Sequence, residues 1–210
     1  MKKIISKLFI FTLLTFYLFN IQNEAIANTR LIGHDALGNH YESGIPSMNL
    51  ELFKPIQHCS EWCWAACIQS LLNYQGIAIT QEDLVKKVYG SLICAPANEN
   101  QIINAVNGLG FSYNGVPQNI SGKLYPIPSN LPIDTSKIID DLSNNCPLIV
   151  GVINPSGGRH IVILTSIRYN SSFPESVVIR DPWPGNPNRQ EWNWNYFRQN
   201  LTFIMKVKVN

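Results

Sequence analysis

Once its first 27 residues are set aside, this 210-residue chain has no surplus of charge of either sign. Those residues take three of the 16 basic and one of the 14 acidic side chains, which leaves 13 of each in 183 residues. A zero balance without a basic cluster excludes the electrostatic footprint of a nucleic-acid binder or of a protein held on an anionic membrane. No second long apolar run follows the first, so no stable membrane association is predicted after the leader. No Cys stands directly behind that run, which argues against a lipid-modified lipoprotein. There is no internal repeat and no low-complexity tract, since Asp181-Pro182-Trp183-Pro184-Gly185 is only a short turn-rich loop.

The excess positive charge belongs to the leader. Lys2, Lys3 and Lys7 precede an apolar and aromatic run, Leu8 to Phe19, interrupted only by Thr12 and Thr15, and Ala25-Ile26-Ala27 supplies small residues at a cleavage site. The pattern predicts a bacterial signal peptide over 1–27, cut after Ala27, and a secreted or periplasmic product. Residues 28–55 are rich in Gly, Pro and polar side chains and read as an extended lead-in wrapping the domain, in the position of a pro-segment. Residues 56–210 form the predicted domain, and some 180 residues can bury a core without depending on covalent staples. Asn119, Asn170 and Asn200 open glycosylation sequons, which a bacterial leader makes irrelevant.

Five cysteines follow the leader: Cys59, Cys63, Cys67, Cys94 and Cys146. An odd number in an oxidising compartment leaves at least one thiol unpaired. With Cys63 free, the other four pair in three ways that the sequence does not decide. Cys59 with Cys94 is favoured because that bridge pins the start of the helix behind it. All five remaining reduced and buried is the alternative.

That helix is predicted over Trp62 to Tyr74, where Cys63, Ala66, Cys67, Ser70, Leu71 and Tyr74 recur three or four apart before Gly76. Thr80 and Asn98 open two further helices with caps and early polar residues, and a fourth is predicted over Thr135 to Leu142. Phe111 to Tyr113 reads as a short strand. From Leu148 onward the period changes: Leu148–Ile153, His160–Arg168, Ser176–Arg180 and Leu201–Val209 are β-branched runs separated by turn residues. Helices first and strands later predict an α+β fold with a cleft where an N-terminal helical layer meets a C-terminal antiparallel sheet.

Trp62-Cys63-Trp64-Ala65-Ala66 sets one thiol at the mouth of the first helix, with Gln57 six residues earlier as an amide donor. If Ser60 is the N-cap, Cys63 lies in the first turn, where unsatisfied N–H groups and the helix dipole favour the thiolate. Cysteine chemistry needs a base, a group to orient it and donors for an oxyanion. His160 begins a strand after Gly157-Gly158-Arg159, and Asp181 ends the strand of Val177 to Arg180. If those strands form a hairpin, their start and end lie at one edge of the sheet. Alone, His160 reads as a buried histidine and Asp181 before Pro182 as a turn former. Together with Gln57 and Cys63 they make a catalytic set. His34, His40 and His58 read as solvent-facing or structural. A zinc site from His58, Cys59, Cys63 and Cys67 lacks the paired knuckles such sites use. Trp62 and Trp64 read as core or cleft lining, and Trp192, Trp194, Tyr196 and Phe197 as packing beneath the Asp181 loop.

From Gln57 to Pro184 the chain resembles papain-like cysteine proteases, above all the compact bacterial family marked by Gln, then Trp-Cys-Trp-Ala-Ala, a late His and a strand ending in Asp-Pro. The resemblance implies Cys63 as nucleophile, His160 as general base and acid, Asp181 as the group orienting His160, and Gln57 as oxyanion donor beside the Cys63 N–H. It implies hydrolysis of a protein or peptide substrate through an acyl-enzyme, with no metal or organic cofactor, by a monomer. Three features depart from papain: Cys59-Ser60-Glu61-Trp62-Cys63-Trp64 replaces Cys-Gly-Ser-Cys-Trp, the Cys-to-His interval is 97 residues, and the third member is Asp where papain has Asn. The same residues serve transglutaminase- or deamidase-type acyl transfer, and the fold also suits a non-catalytic binding module.

Overall fold

The computed structural model describes residues 28–45, 54–113, 116–127, 133–154 and 157–209. The predicted leader lies outside the described residues. Five helices, α1 (Cys63–Tyr74), α2 (Gln81–Tyr89), α3 (Glu99–Val106), α4 (Thr135–Ser143) and α5 (Trp194–Asn200), accompany nine strands among the described residues. The strands are β1 (Thr29–Asp35), β2 (Gly38–Gly44), β3 (Gly110–Tyr113), β4 (Val116–Leu124), β5 (Leu148–Ile153), β6 (Arg159–Asn170), β7 (Pro174–Arg180), β8 (Arg189–Asn193) and β9 (Leu201–Val209). The protein is α+β, as its order of periods predicts.

The helix ends follow from local chemistry. Thr80 caps α2 and Asn98 caps α3 in reciprocal capping boxes with Asp83 and Gln101. Gly90 closes α2 in the left-handed conformation at φ 73°, which costs glycine nothing.

All strand pairs are antiparallel, in the order β1-β2-β6-β5-β9-β4-β3, with β7 on β6 and β8 on β7. Strand alternation divides the core in two. Ile149, Ile161, Ile163 and Met205 face α1, α2 and α3, whereas Leu148, Val150, Val162 and Leu164 face α4 and α5. The expected single helical layer is therefore joined by a second on the opposite face. This explains why β5 is buried almost throughout.

Residues 29–44 depart from the predicted wrapping lead-in. They form the β1–β2 hairpin, and β2 joins the sheet by pairing His40 to Gly44 with Asn170 to Ser166. These mostly polar strands lack the β-branched runs of β5, β6, β7 and β9, and β2 finds its partner in the second half of the long β6. No helix among the described residues is long and apolar enough to cross a membrane.

Candidate active site

Cys63 is the first residue of α1. The N-cap is Trp62 rather than the expected Ser60, because residues 59–62 form a turn closed by the Trp62 N–H on the Cys59 carbonyl at 3.0 Å. No side chain caps this helix and no acidic residue occupies its first turn. The first-turn N–H groups are left without a side-chain acceptor, and the positive end of the dipole lies at the thiol. A disulfide between Cys59 and Cys94 ties this turn to the segment ahead of α3, the pairing favoured above. Two indoles reinforce the tie, Trp62 Nε1 donating to the Ile93 carbonyl at 2.8 Å and Trp64 Nε1 to that of Ala95 at 3.2 Å.

Cys63, Cys67 and Cys146 are free thiols, so a second bridge does not form. Cys67, one turn along α1, is fully buried; its thiol bonds the Ile161 carbonyl at 3.4 Å, and burial raises its pKa well above the thiol range. Burial also pushes Cys146 up to about 11. Neither environment favours a thiolate.

The β6–β7 hairpin forms as expected, pairing Ile163 with Arg180, and its edge brings His160 and Asp181 together. His160 Nε2 lies 2.7 Å from Asp181 Oδ1, with the carboxylate side chain only 3% exposed. Cys63 lines the same cleft and acts electrostatically on the His160 ring. With Nε2 committed to Asp181, Nδ1 is the ring nitrogen left for the thiol. Burial pushes the imidazole down, but its hydrogen bond to Asp181 and its interaction with Cys63 outweigh that and raise it to about 9. Burial likewise pushes Asp181 up, and its hydrogen bonds, from His160 first, overcome this and hold it below the usual carboxylate range.

The three residues line one cleft of about 1110 Å³ between the α1–α3 layer and the sheet edge, with Trp64, Trp183 and Phe203 among its walls. Gly151 on β5 makes room for Phe203: a Cβ there would lie 2.3 Å from the Phe203 ring.

Gln57 is placed differently. It borders a smaller recess with His58, Trp183 and Pro184. Its Nε2 lies 2.9 Å from the Cys59 carbonyl oxygen and 2.8 Å from that of Ser60, two acceptors for two N–H bonds. Its Oε1 is buried without a donor. The Gln57 N–H meets the Pro182 carbonyl at 3.0 Å, so the Asp181 loop is tied to the segment before Cys63.

Sequence reasoning did not find the groups that hold Asp181. Besides His160, the carboxylate accepts from the Trp183 N–H at 2.9 Å, Asn186 Nδ2 at 2.8 Å and Gln190 Nε2 at 3.0 Å. The available signal was the amide-rich stretch behind Asp181-Pro182, Asn186 to Gln190. Trp194 and Phe197 pack in the core, whereas Trp192 and Tyr196, expected beneath the loop, line the cleft. His58 bonds Glu82 at 2.9 Å on the exposed side, and Cys59 is held in the disulfide, so the zinc constellation does not assemble.

A free cysteine at a helix start, facing an imidazole and a carboxylate at a sheet edge, is the layout of a papain-like cysteine peptidase. The solved structures similar to this chain have that fold. The peptidase domain of Streptococcus ComA, a bifunctional ABC transporter involved in quorum sensing, superposes with a TM-score of 0.52 at 17% identity, over 75% of this chain and 97% of that one. A C39-like peptidase from Bacillus anthracis gives 0.50 at 13% identity, over 80% and 98%. Comparison with curated protein sequences gives no significant match. The family profile of the papain-like cysteine protease AvrRpt2 matches residues 46–202, and the chain belongs to that family. It is a papain-like cysteine peptidase.

Proposed function

We propose that the protein is a secreted peptidase that cleaves peptide bonds with Cys63, His160 and Asp181 as its triad. What carries this reading is the convergence of Cys63, His160 and Asp181 on one cleft, with His160 hydrogen-bonded to Asp181. Transfer of the thiol proton to His160 gives a thiolate and an imidazolium, which the buried Asp181 carboxylate orients and stabilises. The sulfur attacks the scissile carbonyl carbon, forming a C–S bond and a tetrahedral oxyanion. The Cys63 N–H and Gln57 stabilise this oxyanion, the latter by turning one amide hydrogen from a main-chain carbonyl. His160 gives its proton to the leaving amine as the C–N bond breaks. Water, deprotonated by His160, then hydrolyses the thioester and restores the thiol. Residues 1–27 direct export, and the exported chain begins at Asn28.

The test compares the wild-type chain with Cys63→Ala on an unfolded protein substrate, read by mass spectrometry. New termini that vanish in the variant support the peptidase. A gain of about one dalton on an intact substrate assigns the site to deamidation instead. Iodoacetamide alkylation at Cys63 near neutral pH is the parallel readout; cleavage by the variant at the wild-type rate defeats the assignment.

A further inference from the structure

Asp181 is gripped through both oxygens. Oδ1 accepts from His160 and the Trp183 N–H, and Oδ2 accepts from Asn186 and Gln190. The two amides differ in freedom. Asn186 is exposed, whereas Gln190 is half-buried on β8 and held at both ends. Its Nε2 also reaches the Pro187 carbonyl at 3.1 Å, and its Oε1 accepts the Trp192 indole N–H at 3.0 Å. Turning that amide over would set Oε1 against the carboxylate and N–H against N–H, repelling at each end. The strand makes the arrangement possible, because residues two apart share a face and Gln190 sits opposite Ile179, two residues before Asp181.

We infer that Gln190 is a positioning residue of the triad, holding Asp181 with Oδ1 toward His160, and that Trp192 is the residue that fixes Gln190. Trp192 stands in the cleft wall, edge-on to Tyr196 at 5.3 Å between ring centroids. A substrate side chain seated on Trp192 therefore touches the line of hydrogen bonds that runs through Gln190 and Asp181 to His160. The inference rests on the triad proposed above and adds to it a link from cleft occupancy to catalytic geometry.

The experiment uses the full exported chain with Gln190→Ala, Trp192→Phe and the double variant. It reads turnover of dye-labelled casein and, without any substrate, the pH dependence of iodoacetamide alkylation at Cys63, located by mass spectrometry. Gln190→Ala is expected to slow turnover about tenfold, the worth of one charge-assisted hydrogen bond. It also moves the acid limb of alkylation to higher pH, because Asp181 loses a donor to its ionised form. Trp192→Phe keeps the aromatic ring and shifts both readouts the same way by less. The double variant is no worse than Gln190→Ala, since Trp192 acts through Gln190. Multiplying effects, or an acid limb that stays put, overturn the inference. Should Gln190→Ala lose its cooperative melting transition, Trp192→Phe decides by its own acid limb. A wild-type chain without Cys63-dependent cleavage strikes the triad itself, whereas an active chain with unmoved limbs strikes only Gln190.

Discussion

The two halves of the site are built on opposite plans. On the sheet side, every contact serves to saturate one carboxylate: Asp181 takes four donors and is almost wholly buried. On the helix side, α1 has no side-chain cap, so its first-turn N–H donors are left in excess, while the amide hydrogens of Gln57 are lent to main-chain carbonyls. A saturated half fixes a charge whose position must not change during turnover. An unsaturated half offers hydrogen bonds that are completed only when charge develops on a substrate.

Substitutions on each side break this contrast in different ways. The largest effect is expected for Asp181→Ala, which strands four donors and frees His160. Turnover falls by about 10³-fold and stability by about 3 kcal/mol, measured by casein cleavage and urea unfolding. Cys59→Ser acts on the helix half. Opening a bridge that closes a separation of 35 residues costs about 4 kcal/mol, and calorimetry of oxidised wild type against the variant reads it. A variant as stable as the wild type would show that the indole bonds of Trp62 and Trp64 hold the turn by themselves.

Gln57→Ala is the sharper probe of the unsaturated half. Loss of an oxyanion donor lowers kcat by about 10²-fold, while loss of its contacts to Cys59 and Ser60 costs about 1 kcal/mol of stability. Unchanged kcat with that stability loss would leave Gln57 as a support for the turn alone. The remaining probe is pH. His160 is raised from 6.5 to about 9 in the folded chain, so its contribution to stability is complete below 6.5 and is lost as pH rises through about 9. Denaturation at pH 7 and pH 10 is expected to show that loss in the wild type and less of it in Cys63→Ala, where one of the two partners is gone.

What the sequence revealed follows the same division. His160 and Asp181 were legible because a hairpin needs only two β-branched runs and a turn, and antiparallel pairing then fixes which ends meet. The Cys63 helix was legible from its period, but its cap lies two positions beyond the expected Ser60, at Trp62. Ser60 has the right side chain for an N-cap, yet the 59–62 turn uses its carbonyls to hold Gln57, and the helix begins only after that turn. The β1–β2 hairpin escaped notice because its strands are polar and its pairing partner is the far half of β6, more than 120 residues away. Gln190 escaped because an amide shows no periodicity and acquires its role only when β8 lies beside β7.

Gly151 carries a last consequence. The Phe203 ring lies where any β-carbon on residue 151 would have to be, so this part of the cleft wall is shaped by a missing methyl. Alanine at 151 would force that ring to shift and so reshape the cleft without altering Cys63, His160 or Asp181.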